Sequence, residues 1–113
     1  MEKNKKSNLT ALLAECADAC NNCSTACLQE QDVKKMAECI RLDMDCAQIC
    51  QLTASFISRN SDHAGHLIKE CAEICSKCAQ ECSKHKDMEH CRICAELCKK
   101  CAEMCLMNAN VLN

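Results

Sequence analysis

Apolar and thiol side chains recur along this chain at alternating steps of three and four residues, with mostly small or polar residues between them. On an α-helix, residues three and four apart are neighbours on one face. The same alternation marks the seam that the helices of a bundle turn toward one another. The pattern therefore predicts amphipathic helices whose buried stripes consist largely of cysteine. These stripes are Cys16, Cys20, Cys23 and Cys27; Cys39, Cys46 and Cys50; Cys71, Cys75, Cys78 and Cys82; and Cys91, Cys94, Cys98, Cys101 and Cys105.

The stripes are arranged as an internal repeat. A shift of 55 residues superimposes the first stripe on the third, and it also carries the second stripe onto three cysteines of the fourth. One offset shared by seven cysteines indicates a duplicated helical hairpin. We expect a single domain over residues 1–113, with repeat units at about 8–58 and 63–110.

Four helices are predicted, and together they would form an antiparallel four-helix bundle with a cysteine-lined core. Their expected ranges are about 8–29, 33–58, 63–84 and 88–110. Asp32, Asp62 and Asp87 are expected to be N-caps, because a carboxylate can accept hydrogen bonds from the free amides of a first turn. Residues 60–62 would join the two halves.

The composition agrees with an all-α fold. Proline is absent, Gly65 is the single glycine, and Phe56 is the single aromatic residue. The formal net charge is −2 and the charged residues are scattered, so neither nucleic acid nor a membrane surface is an expected partner. Although Lys3, Lys5 and Lys6 stand near the start, no apolar stretch of the kind found in signal peptides follows them. We expect a cytoplasmic location, where cysteines stay reduced.

The repeat is broken at two positions. Met36 stands where the second unit has Cys91, and Asp43 stands where it has Cys98. A carboxylate among thiols would be an additional metal ligand or a hydrogen-bond acceptor. Alternatively, Leu42 takes the inward position and Asp43 rotates to the flank, which is the arrangement that we expect.

Antiparallel packing would give the two ends of the bundle different chemistry. One end, here called the plug, would gather Leu9, Leu13, Phe56, Ile57, Ile68 and Leu112. The opposite end, here called the mouth, would gather Met36, His85, Met88 and His90 beside Cys27, Cys82 and Cys91. Thioether, imidazole and thiol groups are soft or borderline metal ligands. The Met and His residues of the mouth are therefore candidates for metal uptake or additional ligation, although each alone would also suit an ordinary surface or gap-filling role.

Several uses of so many thiols compete. Cysteine as a small hydrophobe would sacrifice apolar burial at about 25 cal/mol per Å² relative to leucine. Cysteines one turn apart on one helix are poorly placed for disulfides. The stripes also differ from the cysteine runs of iron–sulfur proteins. Four facing stripes would suit four-thiolate zinc sites, so a zinc buffer stays open, as does a thiol redox sensor.

Monovalent copper fits the stripes better than zinc. Thiolates and thioethers favour Cu(I), and one monovalent ion per thiolate leaves the interior near neutral, whereas zinc with four thiolates leaves negative charge. Because a thiolate can bridge two ions, the core would hold many Cu(I) ions per chain, on the order of 16. We expect copper to come from a copper chaperone or a small-thiol donor. An enzyme is not expected, because no nucleophile with an oriented base is apparent.

Three motifs carry a family resemblance: CADACNNCSTAC at Cys16–Cys27, CAEICSKCAQEC at Cys71–Cys82 and CRICAELCKKCAEMC at Cys91–Cys105. Over about 100 residues the chain resembles the bacterial copper storage proteins, in particular their cytosolic branch. The resemblance implies a bundle whose interior is filled with cysteine-bound Cu(I), copper uptake near one end, and assembly into a homotetramer. Asp43 and the three-cysteine second stripe depart from the regular pattern and leave the local metal geometry open.

Overall fold

The structure, a computed structural model, describes residues 3–109. Over this range it contains four α-helices: α1 (Lys3–Cys27), α2 (Ala37–Ser58), α3 (Ala64–Cys82) and α4 (Glu89–Asn108). Short 3₁₀ segments precede α2 at Val33–Met36 and follow α3 at Ser83–His85. The predicted all-α fold is confirmed, and α1 begins five residues earlier than expected.

The helices form an elongated antiparallel bundle. Each of α1 and α3 packs against both α2 and α4, so the four helices occupy the corners of a square. The bundle measures 45 × 18 × 17 Å, which is one helix pair wide in both short directions. Within the described chain, no helix is long and apolar enough to cross a membrane.

Thiols occupy the axis of this bundle where leucine and isoleucine usually lie. All sixteen cysteines are fully buried, as the alternating spacing predicted. A buried alanine directly follows five of them. Because these alanines lie beside the cysteine stripes and are small, they let neighbouring helices approach closely. These alanines are Ala17, Ala47, Ala72, Ala95 and Ala102. Close approach is what brings thiols from different helices together.

The plug end is apolar, largely as predicted. Four of the expected side chains are fully or almost fully buried there: Leu9, Leu13, Ile57 and Ile68. Phe56 is the exception, because the neighbouring Ile57 takes the seam position. Its ring is only partly buried, and the guanidinium of Arg59 lies 4.6 Å from the ring centroid. Leu112, the remaining residue of the predicted plug, lies outside the described residues.

One of the three predicted N-caps is correct. The Asp32 carboxylate accepts a hydrogen bond from the Lys35 amide over 3.4 Å. The predictions for Asp62 and Asp87 are wrong, because α3 and α4 are preceded directly by His63 and Met88, neither of which makes a side-chain cap.

Local turns explain both failed caps. Before α3, the amide of His63 donates to the hydroxyl of Ser61 over 3.1 Å. Before α4, the amide of Met88 donates to the carbonyl of His85 over 3.0 Å, because the 3₁₀ segment runs on into the turn. The backbone of each connection therefore finds its partners without an aspartate.

The link between the hairpins turns at Asn60, which has a positive φ of 57°. Asparagine tolerates this left-handed conformation better than most residues. The amides of Asn60 and Ser61 donate to the carbonyls of Ile57 and Phe56, each over 3.0 Å, which is the hydrogen-bond pattern of a Schellman motif. The expected junction at residues 60–62 is therefore a defined helix stop.

Candidate metal centre

The thiols of the four helices meet in one continuous column. Cys46 and Cys75 bring their Sγ atoms to 3.4 Å across the α2–α3 contact, and Cys20 and Cys98 reach 3.5 Å across the α1–α4 contact. Cys16 on α1 lies 3.9 Å from Cys46 on α2, which joins the two sides. The thiols therefore form one continuous group that extends along the bundle.

Neighbouring groups of thiols in this column share members. In several groups of four, all Sγ atoms lie within 4.8 Å of one another, for example Cys16, Cys46, Cys50 and Cys75; Cys16, Cys20, Cys46 and Cys98; Cys20, Cys78, Cys94 and Cys98; and Cys50, Cys71, Cys75 and Cys101. Because Cys16 and Cys46 each belong to two of these groups, an ion held by one group would share ligands with the next. This arrangement suits ions that accept bridging thiolates.

Asp43 is fully buried in the column, so the expectation that it lies on the flank is wrong. Thiols of Cys78, Cys94 and Cys82 donate to its Oδ1 over 3.2, 3.3 and 3.4 Å, and Cys39 donates to Oδ2 over 3.7 Å. The steps of four and three residues from Cys39 to Cys46 run through position 43, so the helix turns Asp43 toward the bundle axis. The S–H groups around it then supply the hydrogen bonds that a buried carboxyl needs.

Burial among thiols changes the ionisation of this carboxyl. Desolvation by burial raises the pKa of Asp43 to about 11. The group is therefore protonated at neutral pH in the copper-free protein. A neutral carboxyl avoids the cost of a buried unpaired charge.

At the mouth, His90 completes a group with three thiols. Its Nδ1 lies 3.5, 3.6 and 3.9 Å from the Sγ atoms of Cys91, Cys23 and Cys27. These four ligand atoms also lie within 4.8 Å of one another. Burial raises the pKa of the Cys27 thiol to about 12 and raises the pKa of Cys91 as well, so both start as neutral thiols.

The other predicted mouth residues lie at the same end of the bundle. Met36 is almost fully buried at the end of its 3₁₀ segment, and Met88, just before α4, is partly buried against the core. His85 is also buried, and its Nε2 lies 3.4 Å from Oε2 of Glu81. The sequence therefore placed all four mouth residues at the correct end, and the structure brings His90 into contact with the thiols.

Two carboxylates at the mouth were missed by sequence reasoning. Glu81 stands four residues before His85, a helical spacing that could have indicated the contact. Glu30 lies 3.0 Å from Nε2 of His90, although 60 residues separate the two in the chain. No local pattern could have revealed that second pair.

The chain is similar in sequence and in fold to known proteins. The family model described as copper storage protein matches residues 2–110. The cysteine-rich protein YhjQ of Bacillus subtilis is 40% identical over 78 residues, which cover 69% of this chain and 71% of that protein.

Two solved structures share the whole bundle. One, of a cytosolic copper storage protein from Streptomyces lividans during copper loading with five coppers, has a TM-score of 0.91 and 37% identity, and the match covers 95% of this chain and 93% of that chain. The other, the Cu(I)-bound copper storage protein BsCsp3, has a TM-score of 0.88 and 38% identity, over 93% of this chain and 98% of that chain.

Proposed function

The chain belongs to the copper storage protein family, and on that premise we propose that it stores many Cu(I) ions on the cysteine thiolates that line its core. The observation that carries this proposal is the column of sixteen buried cysteines, many of which fall into overlapping groups of four. Relatives with the same bundle are described with five coppers and with bound Cu(I).

Charge balance sets the expected capacity. When Cu(I) binds a buried thiol, the thiol releases its proton and one monovalent cation replaces another, so the net charge of the core does not change. Uptake can continue in this way until the thiols are used, which gives a capacity on the order of 16 ions. A core without excess charge needs no counterions in its interior.

We propose that copper enters through the mouth. The group of Cys23, Cys27, Cys91 and His90 would accept the first ions, and exchange between neighbouring thiolates would then carry them toward the plug. Met36, His85 and Met88 are proposed as uptake residues around this group. Asp43, whose Oδ1 lies among three thiols, is proposed as an additional ligand or hydrogen-bond acceptor during loading.

The cellular setting is also proposed. The relative from Streptomyces lividans is described as cytosolic, which supports a cytoplasmic location for this chain. A copper chaperone or a small thiol would deliver the ions, and the protein would act as a store rather than an enzyme.

The homotetramer is proposed from the family resemblance, and an apolar groove between α1 and α4, lined in part by Leu12, Met104 and Met107, offers a face for contact between copies. Sedimentation velocity would test this assembly directly.

Zinc is the second candidate, because groups of four thiols match its tetrahedral preference. Closed zinc sites, however, need their own four ligands, and the groups in this column share theirs. An anaerobic titration of reduced protein with Cu(I) against a chromogenic chelator, run in parallel with zinc, separates the candidates. Uptake near one Cu(I) per cysteine before the chelator responds supports the store, whereas saturation at one or two ions, or tighter stoichiometric zinc, would overturn it.

A further inference from the structure

Glu30, in the connection between α1 and α2, contacts the mouth histidine from outside. Its Oε2 lies 3.0 Å from Nε2 of His90. The other ring nitrogen, Nδ1, faces the Sγ atoms of Cys23, Cys27 and Cys91. One imidazole therefore connects a partly exposed carboxylate to the outermost thiols of the column.

The contact constrains where the imidazole carries its proton. An ionised carboxylate accepts hydrogen bonds and cannot donate them. If Nε2 of His90 carried no hydrogen, two lone pairs would face each other at 3.0 Å. The contact thus favours a proton on Nε2, and in a neutral ring this leaves the lone pair of Nδ1 free on the side of the thiols.

Backbone hydrogen bonds fix the main-chain positions of both Glu30 and His90. The amide of Glu30 donates to the carbonyl of Cys27 over 3.2 Å, so the turn that ends α1 fixes the position of its Cα atom. His90 lies in the first turn of α4, where the amides of Cys91 and Arg92 both donate to the carbonyl of Met88. The side chain of His90 is 15% exposed and that of Glu30 is 34% exposed, so the ring is the better shielded partner.

The pair has no counterpart in the other half of the repeat. The shift of 55 residues places His85 at the position of Glu30, and it places Lys35 at the position of His90. The bundle scaffold therefore does not require this contact, because the duplicated hairpin is built without it. A role at the mouth explains why the two residues meet there.

We propose that Glu30 is a positioning residue for copper uptake: it holds His90 as the Nε2–H tautomer and so presents Nδ1 to Cu(I) beside Cys23, Cys27 and Cys91. The inference rests on the proposed function for its copper part only. Carboxylates that accept the free N–H of a metal-binding histidine orient the ring and raise its basicity. Here the carboxylate would prepare the ligand before the metal arrives.

The first test uses copper-free protein. Long-range ¹H–¹⁵N spectra of histidine-labelled protein at pH 7.5 should show His90 protonated on Nε2 and unprotonated on Nδ1. Glu30→Ala should remove this preference, while Glu30→Gln should retain it, because the amide oxygen still accepts the hydrogen bond. Glu38→Ala is the matched control, since Glu38 is an exposed carboxylate near the start of α2 that pairs with Arg41 instead. A His90 ring protonated on Nδ1, or one that is unchanged in Glu30→Ala, would overturn the proposal.

The second test measures anaerobic Cu(I) transfer from a chelator complex. Glu30→Ala should load about 10-fold more slowly at unchanged final capacity, whereas Glu30→Gln and Glu38→Ala should load close to the wild-type rate. Equal rates for all four proteins would overturn the positioning role. Wild-type protein that takes up no copper would instead overturn the proposed function, and the tautomer spectra would still decide whether Glu30 orients His90.

Discussion

At the scale of single residues, Asp43 differs most from its surroundings. It is the one carboxylate among the fully buried side chains that the structure describes, and it takes a position where the repeat would put a cysteine. Cys39, Cys78, Cys82 and Cys94 donate hydrogen bonds to it. Asp43 thus belongs to the column as a neutral acceptor, and its role as a metal ligand stays a proposal.

Asp43 should make the stability of the copper-free protein depend on pH. Its pKa is raised to about 11 in the folded state from an ordinary value of 3.8, so between these values the folded state binds one more proton than the unfolded state. The free energy of unfolding should therefore fall as pH rises, by about 1.4 kcal/mol per pH unit. Asp43→Asn cannot ionise and should lack this contribution.

Urea unfolding of both proteins under reducing conditions at pH 5, 6 and 7 measures the effect. For each unit that the pH rises, the free energy of unfolding of Asp43→Asn should increase by about 1.4 kcal/mol relative to that of the wild-type protein. Comparing the two proteins cancels the titration of groups that they share. Parallel curves would show that the carboxyl titrates alike in the folded and unfolded states.

Met36 and His85 are expected to affect uptake rather than storage. Both lie at the mouth, outside the cysteine groups that make up most of the capacity. The double variant Met36→Leu/His85→Gln should therefore slow Cu(I) transfer from a chelator while the final number of bound ions stays within one of wild type. Stopped-flow transfer followed by end-point titration measures both quantities. Lost capacity at an unchanged rate would make these residues storage ligands instead.

At the scale of helices, the column depends on the small residues beside each stripe. Ala102 follows Cys101 on α4 and is only 6% exposed. Replacing it with leucine should overpack the bundle and lower the free energy of unfolding by about 1–3 kcal/mol. Ala14→Leu is the matched control, because Ala14 is exposed on α1. Urea unfolding of the two copper-free variants compares them, and equal stabilities would show that the flanks tolerate larger residues.

The helices could be predicted because the spacing of the buried residues along the chain indicates them. The turns and the long-range contacts have no such pattern. Steps of three and four located every stripe and also run through Asp43, so the expectation that Leu42 takes the inward position and Asp43 the flank is wrong. The caps at Asp62 and Asp87 failed because turn geometry, rather than residue type, decided which groups met the free amides. Glu30 could not be found, since its partner His90 is distant in sequence.

At the scale of the whole molecule, storage couples copper to folding. Ligands gathered from four helices exist as a set only in the folded state, so bound Cu(I) should stabilise that state by mass action. The melting temperature should rise progressively as Cu(I) equivalents are added anaerobically. Circular dichroism melts of copper-free and loaded protein measure this, and an unchanged melting temperature would contradict the coupling. The division of residues 1–113 into two repeat units within one domain stays a prediction.

If the interior of the bundle is itself the storage site, crystals of the fully Cu(I)-loaded protein should hold copper there. Anomalous difference maps recorded at the copper absorption edge should show a row of many copper peaks along the bundle axis. These peaks should extend from the group around Cys91 past Cys16 toward the plug, each within bonding distance of cysteine sulfur. One or two peaks confined to the mouth, or copper bound on the outer surface, would show that the interior is not the store.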